Sequence, residues 1–311
     1  MGPDEDSGFD ILTLEEMVSG LESGLANSNI QKLDLIGFDA CLMATYEVAR
    51  SMAPFANVMV ASQELEPGHG WDWEALEVIT YNPSIEAAEL GIEIANSYRS
   101  QAIVSGTDID ITLSVIDLSK IDILDQAIRE LSDSFLEASR EISPKLGLSV
   151  NNALRFGKSP NPIDDSQMSD IGDFAATLGL YEPSLLRDSN NLIDAMTDIL
   201  INQVTGPATK SATGLSIYFP ELSEYANEDY LEIPGLDNWV NLLLGYFSSQ
   251  ESIPDNKKAN FVTDTFEPSY SLDEDGLSIT AQFDITTEEN LVESVIYYGI
   301  SENDGSVLFI G

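Results

Sequence analysis

The sequence predicts an α/β protein built on a mainly parallel sheet and followed by a partial all-β module. Three observations carry that prediction. Leu33, Leu35, Ile36 and Phe38 form a short apolar run of the kind found in a strand buried on both faces. Helix-spaced residues come next, and Val58-Met59-Val60 then completes a strand–helix–strand unit, whose crossover should be right-handed. Beyond about residue 260 helical periodicity stops and alternating segments take over.

Taken in order, residues 1–10 are acidic and contain glycine, the composition of a loose terminus. Thr13 with Glu16 three residues later makes a capping box. Leu14, Met17, Val18, Leu21 and Leu25 follow at helical spacing, so a helix should end near Ala26. The first buried strand stops at Asp39, and Leu42, Tyr46, Val48 and Ala49 predict a helix that begins at once and reaches about Met52. Residues 63–73, with Glu64, Glu66, Pro67, Gly68 and Gly70, read as a mobile loop over the carboxyl edge of the sheet. Pro83-Ser84 opens a helix to about Tyr98, and residues 109–116 read as a strand. A long helix over 117–142 puts Leu118, Ile121, Leu124, Ile128, Leu131 and Phe135 on one face. Shorter helices are expected at 145–156, 170–178 and 185–203, a buried strand at 214–219 and a last helix at 237–247. Residues 249–260, polar and containing Pro254, Lys257 and Lys258, read as a linker between a first domain, 1–248, and the β module, 261–311. Strands in that module are expected at 277–283, at 292–300 and at the apolar end, Leu308-Phe309-Ile310.

Charge narrows the partners. With 54 acidic and 13 basic residues the net charge is −41, the same sign as nucleic acid and anionic membranes, so both are poor partners, and basic peptides are the natural electrostatic ones. The same surface would suit high salt, where the screening length falls to about 3 Å at 1 M. No apolar run approaches the ~20 residues needed to cross a bilayer, and the first residues do not read as a signal peptide. One cysteine allows no internal disulfide. No cofactor is expected. Carboxylates could hold calcium, but no D-x-D-x-D-G loop occurs, and Asp273-Glu274-Asp275-Gly276 is closer to a turn.

The chemistry centres on that cysteine, Cys41. By residue type alone a lone cysteine is more often a small buried hydrophobe. Its place in Asp39-Ala40-Cys41 at a strand's carboxyl end argues for a nucleophile, because open α/β sheets place ligands there and a following helix start would favour the thiolate. Asp39, two residues earlier, points roughly the same way. A like charge does not help a thiol ionise, so its expected task is to pair with a substrate cation. Trp71, Trp73 and Trp239 are read as packing residues rather than a carbohydrate surface. The single histidine, His69, lies after the cysteine in the loop.

Four blocks in order, GFDACLM at 37–43, VASQELEPGHGWDW at 60–73, SDIGDFA at 169–175 and GLSIYFP at 214–220, resemble the clostripain family of cysteine endopeptidases, relatives of gingipain, legumain and caspase. The likeness extends over roughly residues 8–248. It implies a caspase-like α/β/α sandwich with Cys41 as catalytic nucleophile, followed in the next helix by Glu47. It also implies a substrate pocket holding Asp39, with Ser62, Glu64 and Glu66 contributing and Asp72 as a further acidic candidate, and cleavage of peptides or proteins after Arg or Lys. The family's catalytic histidine precedes the cysteine in a strand-end His-Gly, and no histidine precedes Cys41. The chain is therefore read as a fragment, inactive alone, whose upstream strands would complete the sheet and whose open edge beside Cys41 invites aggregation. The resemblance implies a secreted or cell-surface protein. The alternative reading is a non-catalytic relative that binds peptides or acts in surface adhesion, and a weaker one is an enzyme that uses His69 as its base.

Overall fold

The computed structural model describes residues 3–4, 6, 8, 10–159, 164–251, 260–273, 276–286, 299–301 and 307–309. Two compact units divide the chain, Met1–Gly245 and Tyr246–Gly311. In the first, a two-residue antiparallel pair, β1 (Pro3–Asp4) and β2 (Asp10–Ile11), precedes α1 (Leu14–Ala26). The capping box forms as read: Glu16 N donates to Thr13 Oγ1 at 3.2 Å and Thr13 N to Glu16 Oε2 at 2.9 Å. Yet α1 has no buried residue, so its apolar stripe lies only half covered.

The central sheet has the order β3 (Leu33–Gly37), β4 (Ala56–Ala61), β5 (Thr112–Asp117), β8 (Leu200–Thr205). β3 and β4 run parallel, joined through α2 (Tyr46–Met52). The other two pairings are antiparallel, so the sheet is mixed where a mainly parallel one was expected. β5 begins where β4 ends, Ala61 opposite Ser114, and can only run back. One end of the sheet therefore gathers the end of β3, the end of β4 and the start of β5.

Helices cover both faces, which makes the fold α/β. α4 (Ala87–Ser105) packs Ile94, Ala95, Tyr98 and Ala102 against Val58, Val60, Leu113 and Val115, alternate residues of the two inner strands. The opposite face, with Met59 and Ile116 fully buried, belongs to the side of α2 and α7 (Leu186–Ile199). β3 is an exception to its prediction: none of its residues is buried, because it is an edge strand paired only with β4 among the described residues.

Between these lie a single turn, α3 (Val78–Tyr81), and α5 (Ile121–Asn152), which fuses the helices predicted at 117–142 and 145–156. Pro144 sits inside α5, where it lacks the N–H to continue the ladder. Buried Ile142, Leu146 and Val150, four apart on one face, carry the helix past it. A second, antiparallel sheet orders β6 (Arg155–Phe156), β7 (Met168–Asp170) and β9 (Ser216–Tyr218), and α6 (Ile171–Tyr181) follows β7. The helix predicted over 185–203 instead ends at Ile199 and becomes β8, whose Val204 pairs with Leu113. Pairing to a central strand overrides local periodicity there.

The first unit closes with the start of α8 (Asp237–Glu251), whose Trp239 is 1% exposed and donates to the Tyr218 carbonyl at 2.8 Å. The second unit contains two antiparallel pairs, β10 (Asn260–Asp273) with β11 (Gly276–Thr286) and β12 (Gly299–Ser301) with β13 (Val307–Phe309). Most of the predicted linker, the 273–276 turn's centre and most of 292–300 lie outside the described residues.

Candidate active site

The chain leaves β3 at Gly37 and keeps pairing for one more residue, Phe38 N donating to Val60 O at 2.9 Å. Cys41 and Leu42 then form a turn in which Leu42 takes φ +59°, a left-handed conformation that costs an ordinary residue about 1–2 kcal/mol. Contacts on both sides hold it there. Leu42 N donates to Glu64 O at 3.3 Å and Ala44 N to Ser62 O at 2.7 Å, which lays the turn along the exit from β4. On the other side a Cβ on Gly157, itself at φ +57°, would stand 2.9 Å from Leu42 Cδ1, so this position favours glycine.

The helix does not start at the cysteine. Thr45 is the N-cap, its Oγ1 accepting from Val48 N at 3.2 Å, and α2 begins at Tyr46. Residues 43–44 stay outside the helix, where Ser216 N donates to Ala44 O at 3.0 Å and Thr45 bridges to Ser216. The predicted placement of the thiol at a helix amino end is thus corrected. What meets the exposed Cys41 sulfur is a backbone donor, Glu66 N, at 3.2 Å.

Asp39 and Glu66 stand together beside this turn. Both Asp39 oxygens accept from Trp71 N, at 3.2 and 3.3 Å, and Gly70, at φ +65°, lies so near that a Cβ there would be 2.9 Å from Asp39 Oδ2. Glu66 Oε1 accepts from the indole N–H of Trp71 at 3.0 Å. Burial, and then the neighbouring Asp39, push the Glu66 carboxyl up to about 8. Its other oxygen meets no donor among the described residues. Tyr98, fully buried on α4, has a hydroxyl with no partner among the described residues. Burial and then the charge of Glu66 raise that hydroxyl, with Asp110, Asp39 and Cys41 adding to it.

The other predicted residues lie nearby in different roles. Ser62 is fully buried, its Oγ 3.0 Å from Thr112 Oγ1 and donating to Glu64 O at 2.9 Å, so it has no surface for a substrate, correcting its reading as a binding residue. Glu64 turns its carboxylate inward as well: Oε1 accepts from Leu65 N at 2.7 Å and Gly157 N at 3.0 Å. Glu47 is buried in α2 and accepts from Tyr218 N at 3.0 Å and Tyr230 Oη at 2.6 Å, with burial raising its carboxyl. His69 engages Gly70 O at 2.7 Å and Thr107 Oγ1 at 2.9 Å, one per ring nitrogen, which ties the loop to the end of α4 rather than to the thiol. Among the described residues no three His, Cys, Asp or Glu side chains are grouped to hold a metal.

Sequence reasoning missed Tyr98 and Gly157. Tyr98 looks like one more apolar position on a helix face, and Gly157 like one more loop glycine. Neither carries a local signal, since each acquires its place from a partner distant in sequence.

The clostripain family model matches residues 1–230. Three solved structures share the fold. A B. fragilis cysteine protease is 17% identical, with 78% of this chain and 98% of that one covered at a TM-score of 0.55. A secreted C11 cysteine protease from Bacteroides thetaiotaomicron, in complex with an irreversible peptide inhibitor, is 16% identical, with 76% and 65% covered and a TM-score of 0.56. A clostripain from the same species, in complex with the peptide inhibitor BTN-VLTK-AOMK, is 14% identical, with 74% and 95% covered and a TM-score of 0.51. No curated protein matches.

Proposed function

The chain belongs to the clostripain family of cysteine proteases, and on that premise we propose that it carries the nucleophile and specificity pocket of an endopeptidase cleaving after Arg or Lys. The observation that carries this reading is the placement of the exposed Cys41 thiol beside the Asp39 and Glu66 carboxyls at one end of the sheet. The Cys41 sulfur attacks the scissile carbonyl, the leaving amine takes a proton, and water then releases the acyl group. Asp39, with Glu66, anchors the cationic side chain before the scissile bond. The lysine that ends the VLTK peptide in the Bacteroides thetaiotaomicron complex fits such a pocket.

Both nitrogens of His69 are engaged away from the thiol, so in this reading the base is a group other than His69, and the edge of β3, paired only with β4 among the described residues, suits a strand that would bring it. The site of action is outside the cell, as for the secreted relative. The test is hydrolysis of a fluorogenic arginyl peptide by this chain, alone and joined to its upstream polypeptide. Silence alone and cleavage when joined are expected. Cleavage by the chain alone, lost on His69→Ala, would overturn the external base. Silence from both would favour the rival reading, a non-catalytic peptide-binding or adhesion protein, for which the engaged His69 also speaks.

Two measurements on the joined enzyme probe the pocket. Asp39→Asn is expected to lower kcat/KM for an arginyl peptide roughly 10- to 100-fold and to leave a leucyl peptide almost unaffected, as loss of a charged hydrogen-bond partner should. Equal losses on both substrates would sink the assignment. The second is a pH profile. Glu66 holds its proton below about 8, and a bound guanidinium favours the ionised form. KM for the arginyl peptide should therefore fall as pH rises toward about 8 and level off above it, while Glu66→Gln flattens the curve. A KM independent of pH in the unsubstituted enzyme would count against a protonated Glu66.

A further inference from the structure

Glu64 was expected to face substrate, but its carboxylate faces backbone. One oxygen accepts from both Leu65 N and Gly157 N, residues on two separate segments. Its own backbone is held too. Glu64 N donates toward Ser62 Oγ at 3.2 Å and Thr112 Oγ1 at 3.0 Å, and Glu64 O receives Leu42 N and the Ser62 hydroxyl. Two residues on, Glu66 N points at the Cys41 sulfur. The conformation of residues 64–66 thus decides whether that donor meets the sulfur, and the Glu64 side chain spans the stretch at its start.

Resting on the reading of Cys41 as nucleophile, we propose that Glu64 is a positioning residue that clamps residues 64–66 so that the Glu66 N–H holds the Cys41 sulfur. A backbone donor aimed at sulfur stabilises negative charge there, and nucleophilic attack requires the thiolate. The device answers a local difficulty. Asp39 lies two residues before the thiol, and the helix amino end that could have favoured a thiolate begins only at Tyr46. The same clamp reaches Gly157, whose missing side chain lets it lie against Leu42, so one carboxylate braces both walls of the cysteine turn.

Because Cys41 is the only cysteine, its alkylation by iodoacetamide at neutral pH, followed by intact mass, reports on this sulfur alone and needs neither base nor substrate. Glu64→Ala is expected to slow alkylation about tenfold, the worth of a charge-assisted hydrogen bond, and Glu64→Gln to stay within about twofold, since its amide oxygen can still accept. Charge acting alone predicts the opposite sign: removing a carboxylate near a thiol would speed both variants. Unchanged or faster alkylation in Glu64→Ala, or slowing shared by Glu64→Gln, overturns the proposal. A second measurement does not depend on how Glu64→Ala folds. In Cys41→Ala the Glu66 amide loses its acceptor and should exchange its hydrogen at least tenfold faster, with Leu113 and Val115 still protected; unchanged exchange also overturns it. If the joined enzyme cleaves independently of Cys41, the function fails, while these rates still report on the clamp.

Discussion

Replacing Cys41 by alanine in the joined enzyme is expected to reduce hydrolysis of the arginyl peptide by roughly 10⁴-fold or more, to the level that binding and electrostatics alone sustain. The expectation is this large because the reaction divides into acylation and deacylation through a single sulfur, and these 311 residues hold no second cysteine to substitute. Affinity for an arginine-ended peptide should change little, since Asp39 is fixed by Trp71 N and Glu66 by the Trp71 indole, independently of the thiol. A variant that keeps a hundredth of the rate, measured by initial velocities at saturating peptide, would show that another group attacks.

Asp170→Ala should give the largest loss of stability, about 3–5 kcal/mol in a urea titration. Asp170 is fully buried at the end of β7, where Oδ1 accepts from Asp173 N at 2.9 Å and Thr213 Oγ1 at 2.6 Å. Oδ2 accepts from Gln63 Nε2 at 3.0 Å and Thr213 N at 2.7 Å. Alanine would orphan these donors in the interior, at about 1–3 kcal/mol each before relaxation. It would also remove the cap of α6. Gln63 lies one residue before Glu64, so the same substitution should loosen the exit from β4. A urea midpoint unchanged from the parent would mean that these bonds contribute nothing net.

What the sequence discloses about this protein is what neighbours in the chain decide. The capping box of α1, the strand that stops before Asp39 and the Asp-Ala-Cys at its end all depend on residues a few positions apart, and they stand where periodicity puts them. Ser62 and Glu64 are placed in the pocket by the family resemblance and His69 is read as a loop residue, yet each is claimed by a distant partner: Thr112, Gly157 and Thr107. β8 shows the same limit at the level of an element, since the segment's helical spacing lost to pairing with β5. The position of α2 followed suit, delayed by a bond to Ser216 that no local pattern encodes.

The left-handed Leu42 sets robustness against accuracy within a single residue. Glycine there would relieve about 1–2 kcal/mol of backbone strain, and a screen for thermal tolerance would be drawn to it. But the side chain that makes the conformation costly is the one packed against Gly157, and without it the turn would gain freedom where the sulfur must be aimed. Selection for durability and selection for turnover therefore pull this position in opposite directions, so a hardier descendant carrying glycine at this position is expected to be a slower one.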